Sequence, residues 1–148
     1  MSQGCFYLLP ATDKPGFLEQ LVCQLTTDYY RQGQGVFIYT QDQTQAEALD
    51  EQLWQQPADS FVAHNLLGEG PRQGSPVIIS WQSPQQKRPI LINLAAQAPA
   101  FAGRFNQVID FVPADDAGKQ QARERFKIYR QAGVALSTAP APSLLQDE

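Results

Sequence analysis

Apolar runs and helical stripes alternate along the chain. Residues 5–9 form a short apolar, aromatic-containing run that reads as a buried strand. Phe17, Leu18, Leu21, Val22 and Leu25 then recur at spacings of three and four. That pattern predicts a helix over 15–31, with Pro15 at its start and Gly33 and Gly35 breaking it. GVFIYT at 35–40 is a second strand, and Ala46, Leu49 and Leu53 stripe a helix over 42–54 that Asp42 or Thr44 could cap. Residues 57–74 are the least regular, with Pro57, Gly68, Gly70, Pro71 and Gly74, and 60–63 reads as a short strand inside them. Strands follow at 77–81 and 90–94, joined by the polar connector 82–88. A short helix or turn at 99–105 leads to a strand over 107–112. A helix then begins at Asp115 and ends at Gly133, and 134–136 reads as a last short strand. No internal repeat is present.

Strand–helix alternation of this kind implies an α/β fold: a single domain with a mostly parallel twisted sheet and helices on both faces, a Rossmann-like three-layer sandwich. The order of the strands is not legible from the pattern. The domain is expected over 1–136, with a flexible Pro-containing tail over 137–148. The length of 148 residues fits one core of normal size. A hydrophobic content of 43% and a charged content of 18% suit a soluble globular protein. No apolar run approaches the roughly 20 residues that cross a bilayer, and MSQGCFYLLP lacks the basic and apolar regions of a secretory signal. The chain is therefore expected in the cytoplasm. Cys5 and Cys23 are too few for a disulfide framework and read as small buried residues.

Charge changes the picture at one place. The net charge is −4, yet residues 117–134 hold five basic residues and one acid. In KQQARERFKIYRQAG at 119–133, Lys119, Arg123, Lys127 and Arg130 fall within an arc of about 80° at helical spacing. Ala122, Phe126 and Tyr129 occupy the adjacent arc, with Phe126 at the seam. This helix is either a solvated charged face or a surface for a partner with acidic groups and an apolar anchor.

Catalytic chemistry is mostly absent. His64 is the only histidine, no Cys-x-x-Cys or His-x-x-x-His spacing occurs, and no Gly-x-Ser-x-Gly elbow is present, so neither a metal site nor a cofactor is expected. GEGPRQG at 68–74 lacks the Lys-Ser/Thr pair and following helix of a phosphate loop and reads as a rigid turn. Asp110, Asp115 and Asp116 stand near a strand end, where α/β folds place reactive carboxylates, but Asp115 and Asp116 fit better as caps of the basic helix. Trp54 and Phe61 read as core or as an aromatic protein contact.

FYLL at 6–9, LDEQLW at 49–54, SFVAHNLLGEGPRQGSPVIISW at 60–81, VIDFVP at 108–113 and KQQARERFKIYRQAG at 119–133 together resemble the chi subunits of the bacterial DNA polymerase III holoenzyme, part of the clamp-loader assembly. The resemblance spans nearly the whole chain. It implies an adaptor in DNA replication, at the replisome, without catalysis of its own. Such proteins pair with a small psi subunit and bind the acidic C-terminal tail of single-stranded-DNA-binding protein, which ends in a Phe with a free carboxylate. By position, the resemblance assigns that carboxylate to Arg123 and the acidic stretch to Lys119 and Lys127, with Arg130 in the same row. Val112 and Tyr129 would wall the apolar pocket. Phe126 stands where relatives often have Tyr. Phe61 would contact psi, with Trp54, Pro57 and His64 on the same surface. The rival reading is a direct single-stranded nucleic-acid binder using the basic helix, with Phe126 and Tyr129 stacking on bases. One basic strip and a net charge of −4 count against it. A nucleotide-dependent enzyme is disfavoured by the missing loop Lys, and DNA contact is expected to be mostly indirect.

Overall fold

The computed structural model describes residues 2–11, 16–55, 63–66, 75–84 and 88–141. The first strand, β1 (Gln3–Leu8), is followed by α1 (Phe17–Arg31), β2 (Val36–Tyr39) and α2 (Gln43–Trp54). Then come β3 (His64–Leu66), β4 (Val77–Ser80), β5 (Ile90–Asn93) and a 3-10 turn, Ala102–Arg104. The chain goes on through β6 (Gln107–Val112), α3 (Asp116–Gln131) and β7 (Ala135–Pro140). All seven strands join one sheet in the order β3-β4-β2-β5-β6-β1-β7, and every pairing is parallel.

The sequence dictates this layering. β4 and β5 are buried at every position, and β2 at three of four, because helices or turns cover both faces of the central sheet. Successive side chains point to opposite faces. Val36, Ile38, Val77, Ile79, Ile90, Ile92 and Ile109 pack under Leu21, Val22 and Leu25 of α1 and Ala46, Leu49 and Leu53 of α2. Phe6, Phe37, Ile78, Leu91 and Val108 meet Phe101, Phe105 and α3 on the other face. The sandwich is thus three layers deep, and α3 contacts β6 and β7, so it passes over β1 between them.

Helix ends follow local chemistry. Asp42, rather than Thr44, caps α2: its Oδ1 accepts the Gln45 N–H at 2.9 Å. Asp115 caps α3, accepting the Gly118 N–H at 2.9 Å. α3 ends at Gln131, and the chain turns away at Gly133, whose φ of 90° is open to glycine but strained for other residues. α1 starts at Phe17, and Pro15 lies outside the described residues.

Two edges differ from the sequence expectation. The strand expected over 60–63 is found at His64–Leu66; residues 60–62 lie outside the described ones, and Ala63 is not strand. Polar His64 and Asn65 enter a buried strand because each is satisfied there. Asn65 Oδ1 accepts the Ser75 N–H at 2.7 Å, and His64 Nε2 lies 3.1 Å from the Asp50 carbonyl oxygen. At the other edge, β7 runs to Pro140, so the tail expected from Ser137 begins as strand: Ser137 pairs with Cys5 and Pro140 with Leu8. Proline is compatible with an edge strand, whose outer N–H has no ladder partner. Residues 142–148 lie outside the described residues.

Candidate binding cleft on the basic helix

α3 presents its charged arc beside an open cleft of about 660 Å³. The strands supply an apolar floor: Phe6 and Leu8 from β1 and Val112 from β6, with Thr138 at the β7 edge. The helix supplies the wall, with Lys119, Arg123, Lys127 and Arg130 around Ala122 and Phe126. Helical spacing sets this arrangement, since 119, 123, 127 and 130 are one turn apart in succession. Leu8 is 46% exposed and Phe126 half-buried, so apolar surface lies open between the cations. Among the described lining residues none is acidic. Lys127 Nζ has one exposed neighbour, Glu124 Oε1 at 3.6 Å, while Lys119, Arg123 and Arg130 have no ion pair or side-chain hydrogen bond among the described residues. Such a cleft can take an anionic ligand carrying a large apolar group.

Six of the seven residues assigned to a tail site therefore meet here: Val112, Lys119, Arg123, Phe126, Lys127 and Arg130. Tyr129 does not. It is 0% exposed, and its hydroxyl donates to Asp110 Oδ2 at 2.6 Å. Its ring packs behind Phe6 at 5.7 Å between centroids, on the sheet side of the helix. This also removes Tyr129 as a base-stacking platform. Phe6, Leu8 and Thr138 went unassigned from sequence. Their strand pattern marked Phe6 and Leu8 as core; Phe6 is buried, while Leu8 at the end of β1 is 46% exposed.

Asp110 is neither a metal ligand nor a base within reach of solvent. It is buried beneath α3, where Arg125 Nε donates to its two oxygens at 3.0 and 3.2 Å. Burial pushes its carboxyl above the usual range, and Arg125, Tyr129, the Phe111 N–H and Asn93 pull it back. The Tyr129 phenol is raised by burial and by the neighbouring carboxylate. Asp115 and Asp116 are exposed at the start of α3, where Asp115 caps as expected.

A second surface lies at the opposite edge of the sheet. Trp54, the last residue of α2, is 56% exposed, and its ring lies 4.6 Å from that of His64 between centroids. His64 Nε2 also approaches Asp50 Oδ1 at 3.3 Å. Trp54 and His64 are thus neighbours, while Pro57 and Phe61 lie outside the described residues, as does the Gly-rich segment 68–74. Among the described residues no cluster of three or more His, Cys, Asp or Glu side chains could hold a metal, and no helix is long and apolar enough to cross a membrane.

Residues 1–137 match the family model described as DNA polymerase III chi subunit, HolC. The chain is 48% identical over 144 residues to the DNA polymerase III subunit chi of Escherichia coli (strain K12), an alignment covering 94% of this chain and 98% of the relative. It is 45% identical over 123 residues to that of Haemophilus influenzae, covering 82% and 85%. With the protein of the same name from Pseudomonas aeruginosa it shares 32% identity over 145 residues, covering 97% and 100%.

Proposed function

The chain belongs to the DNA polymerase III chi subunit family, and we propose that it serves there as a non-catalytic adaptor between two protein partners. The α3 cleft receives the acidic C-terminal tail of single-stranded-DNA-binding protein. The surface around Trp54 and His64 meets the psi subunit and through it the clamp loader. The observation that carries this reading is the cleft itself: apolar surface open at Leu8 and Phe126 beside four cations, with no acid among its described lining residues. A peptide with several carboxylates and a terminal aromatic residue satisfies both halves at once. The guanidinium of Arg123, in the middle of the row, suits a free carboxylate because its fork donates two parallel hydrogen bonds. The acidic stretch is steered by Lys119, Lys127 and Arg130, an effect that salt screens over about 10 Å.

A binding titration at two salt concentrations tests the reading. The ligand is a labelled acidic peptide ending in Pro-Phe with a free carboxylate, and an amidated copy is the control. Binding that requires the free carboxylate and weakens with salt is the expected result. Failure of both peptides to bind, together with tight binding of a bare oligonucleotide, would replace the adaptor with a direct nucleic-acid binder.

A further inference from the structure

Of the five cations on α3, Arg125 does not face the cleft. It lies about 160° around the helix from Arg123, at the far side of the buried arc. Asp110 on β6 holds it there, and the same carboxylate gathers donors from three elements. Arg125 Nε donates to Oδ2 at 3.0 Å and Tyr129 donates to the same oxygen at 2.6 Å, both from α3. Asn93 Nδ2 on β5 donates to Oδ2 at 3.1 Å, and the Phe111 N–H donates to Oδ1 at 2.6 Å. The remaining guanidinium nitrogens are also fixed, Nη1 on the Ala96 carbonyl at 3.1 Å and Nη2 on the Phe111 carbonyl at 2.9 Å.

We propose that Asp110 is a positioning residue for the cleft: by gripping Arg125 and Tyr129 it sets the rotation of α3 about its axis, and so the aim of Lys119, Arg123 and Arg130. The proposal rests on the cleft being the site for an acidic peptide. α3 buries Gly118, Ala122, Arg125 and Tyr129, and Phe126 meets Phe6 of β1 at 5.5 Å between ring centroids. Gly118 packs closely against Pro113 and Ala122 sits in the apolar face, and neither offers a side-chain hydrogen bond to the sheet. Arg125 and Tyr129 carry the directional bonds of this arc. Turning a helix by about 10° moves a side-chain tip some 6 Å from the axis by about 1 Å. That displacement is about twice the roughly 0.5 Å range of good hydrogen-bond lengths. Fully satisfied buried networks of this kind fix one arrangement rather than several.

The sign of the charge makes the idea testable. As the ion-pair partner of Arg125, Asp110 stands as the anion on the sheet side of the helix that lines the cleft. If the field alone mattered, removing that charge would tighten the grip on an acidic peptide. Positioning demands the opposite. The acidic peptide ending in Pro-Phe is titrated at two salt concentrations into the wild-type protein, Asp110→Asn and Arg125→Lys. The first variant keeps the shape and loses the charge. The second keeps the charge of α3 and loses the fork. Circular dichroism and melting fix a temperature at which each variant is folded. The expected result is binding at least fivefold weaker in both variants, with a flatter salt dependence because fewer cations act in register. A change in packing that left α3 in place would not alter that slope. Folded variants that bind as tightly as wild type, or tighter, overturn the proposal while leaving the cleft reading intact. Wild-type protein that ignores the peptide removes the cleft reading, and the positioning role with it. If Asp110→Asn fails to fold, Arg125→Lys decides alone.

Discussion

Arg123 sits mid-row, one turn from Lys119 and one from Lys127, and has no ion pair or side-chain hydrogen bond among the described residues. Arg123→Ala is expected to weaken acidic-peptide binding by about 1–3 kcal/mol, the value of a hydrogen bond to a charged group. Arg123→Lys should recover only part of that, since a lysine cannot offer the fork. Calorimetric titration checks both, and unchanged affinity in Arg123→Ala would remove the carboxylate from this residue. Cys23 yields a prediction of a different kind. Burial pushes its thiol from 9.0 up to about 12. Between those values the unfolded chain has lost a proton that the folded one keeps. The stability this gives is complete below the unfolded value and falls as pH rises toward 12. The urea midpoint should therefore drop between about pH 8 and pH 10.5, and Cys23→Ala should flatten the drop. Equal slopes for both proteins would contradict the burial argument. At this scale helical angle set the four cleft cations and Phe126 on one side of α3, but it also set Tyr129 on the aromatic edge beside them, where the structure buries it. Even Arg125 carried a signal, since its angle places it with Ala122 and Tyr129 rather than with the other cations. What the sequence could not show is the partner that makes a buried arginine tolerable, because Asp110 is 15 residues away on a strand.

At the scale of elements, α3 depends on how its first turn is held. Asp115→Ala removes the cap to Gly118 and should cost about 1 kcal/mol, or a few degrees of melting temperature in a domain of this size. Gly118→Ala is the more informative change. Helix propensity alone favours alanine there by about 1 kcal/mol. Yet a Cβ at 118 would lie 2.5 Å from Pro113 Cβ and 2.8 Å from Asp115 Oδ1. The clash should win, destabilising the protein by roughly 1–3 kcal/mol as overpacking does. A melting temperature equal to or above wild type would mean that the turn between β6 and α3 yields. The long periodic elements were readable from sequence because their stripes span several turns. The edges were not. β7 is built from small and polar residues, ALSTAP, and its strand state comes from pairing with β1, not from any pattern of its own. β3 hides behind His64 and Asn65, which enter the sheet through specific hydrogen bonds that hydropathy does not register.

For the whole molecule, strand order decides function because it sets where the two surfaces lie. The order β3-β4-β2-β5-β6-β1-β7 places β3 and β7 at opposite edges. At about 4.8 Å per strand they stand nearly 29 Å apart. Alternation of strands and helices revealed a parallel sheet but could not reveal this order, since each crossover can skip a neighbour on either side. α2 packs over β3 and β4, so Trp54 belongs to one edge, while α3 and its cleft belong to the other. Substitutions more than about 10 Å apart with no shared partner usually act additively to within half a kcal/mol. Trp54→Ala should therefore weaken binding to psi and leave the acidic-peptide affinity unchanged within about twofold. Arg123→Ala should do the reverse, and the double variant should show both losses and no more. Raising salt should erode peptide binding in the Trp54 variant as steeply as in wild type, because the cation row is untouched. Measuring both affinities for all four proteins closes the cycle. Parallel losses in the two assays, from either single change, would mean that the sheet transmits damage between its edges and that the two-surface adaptor is wrong.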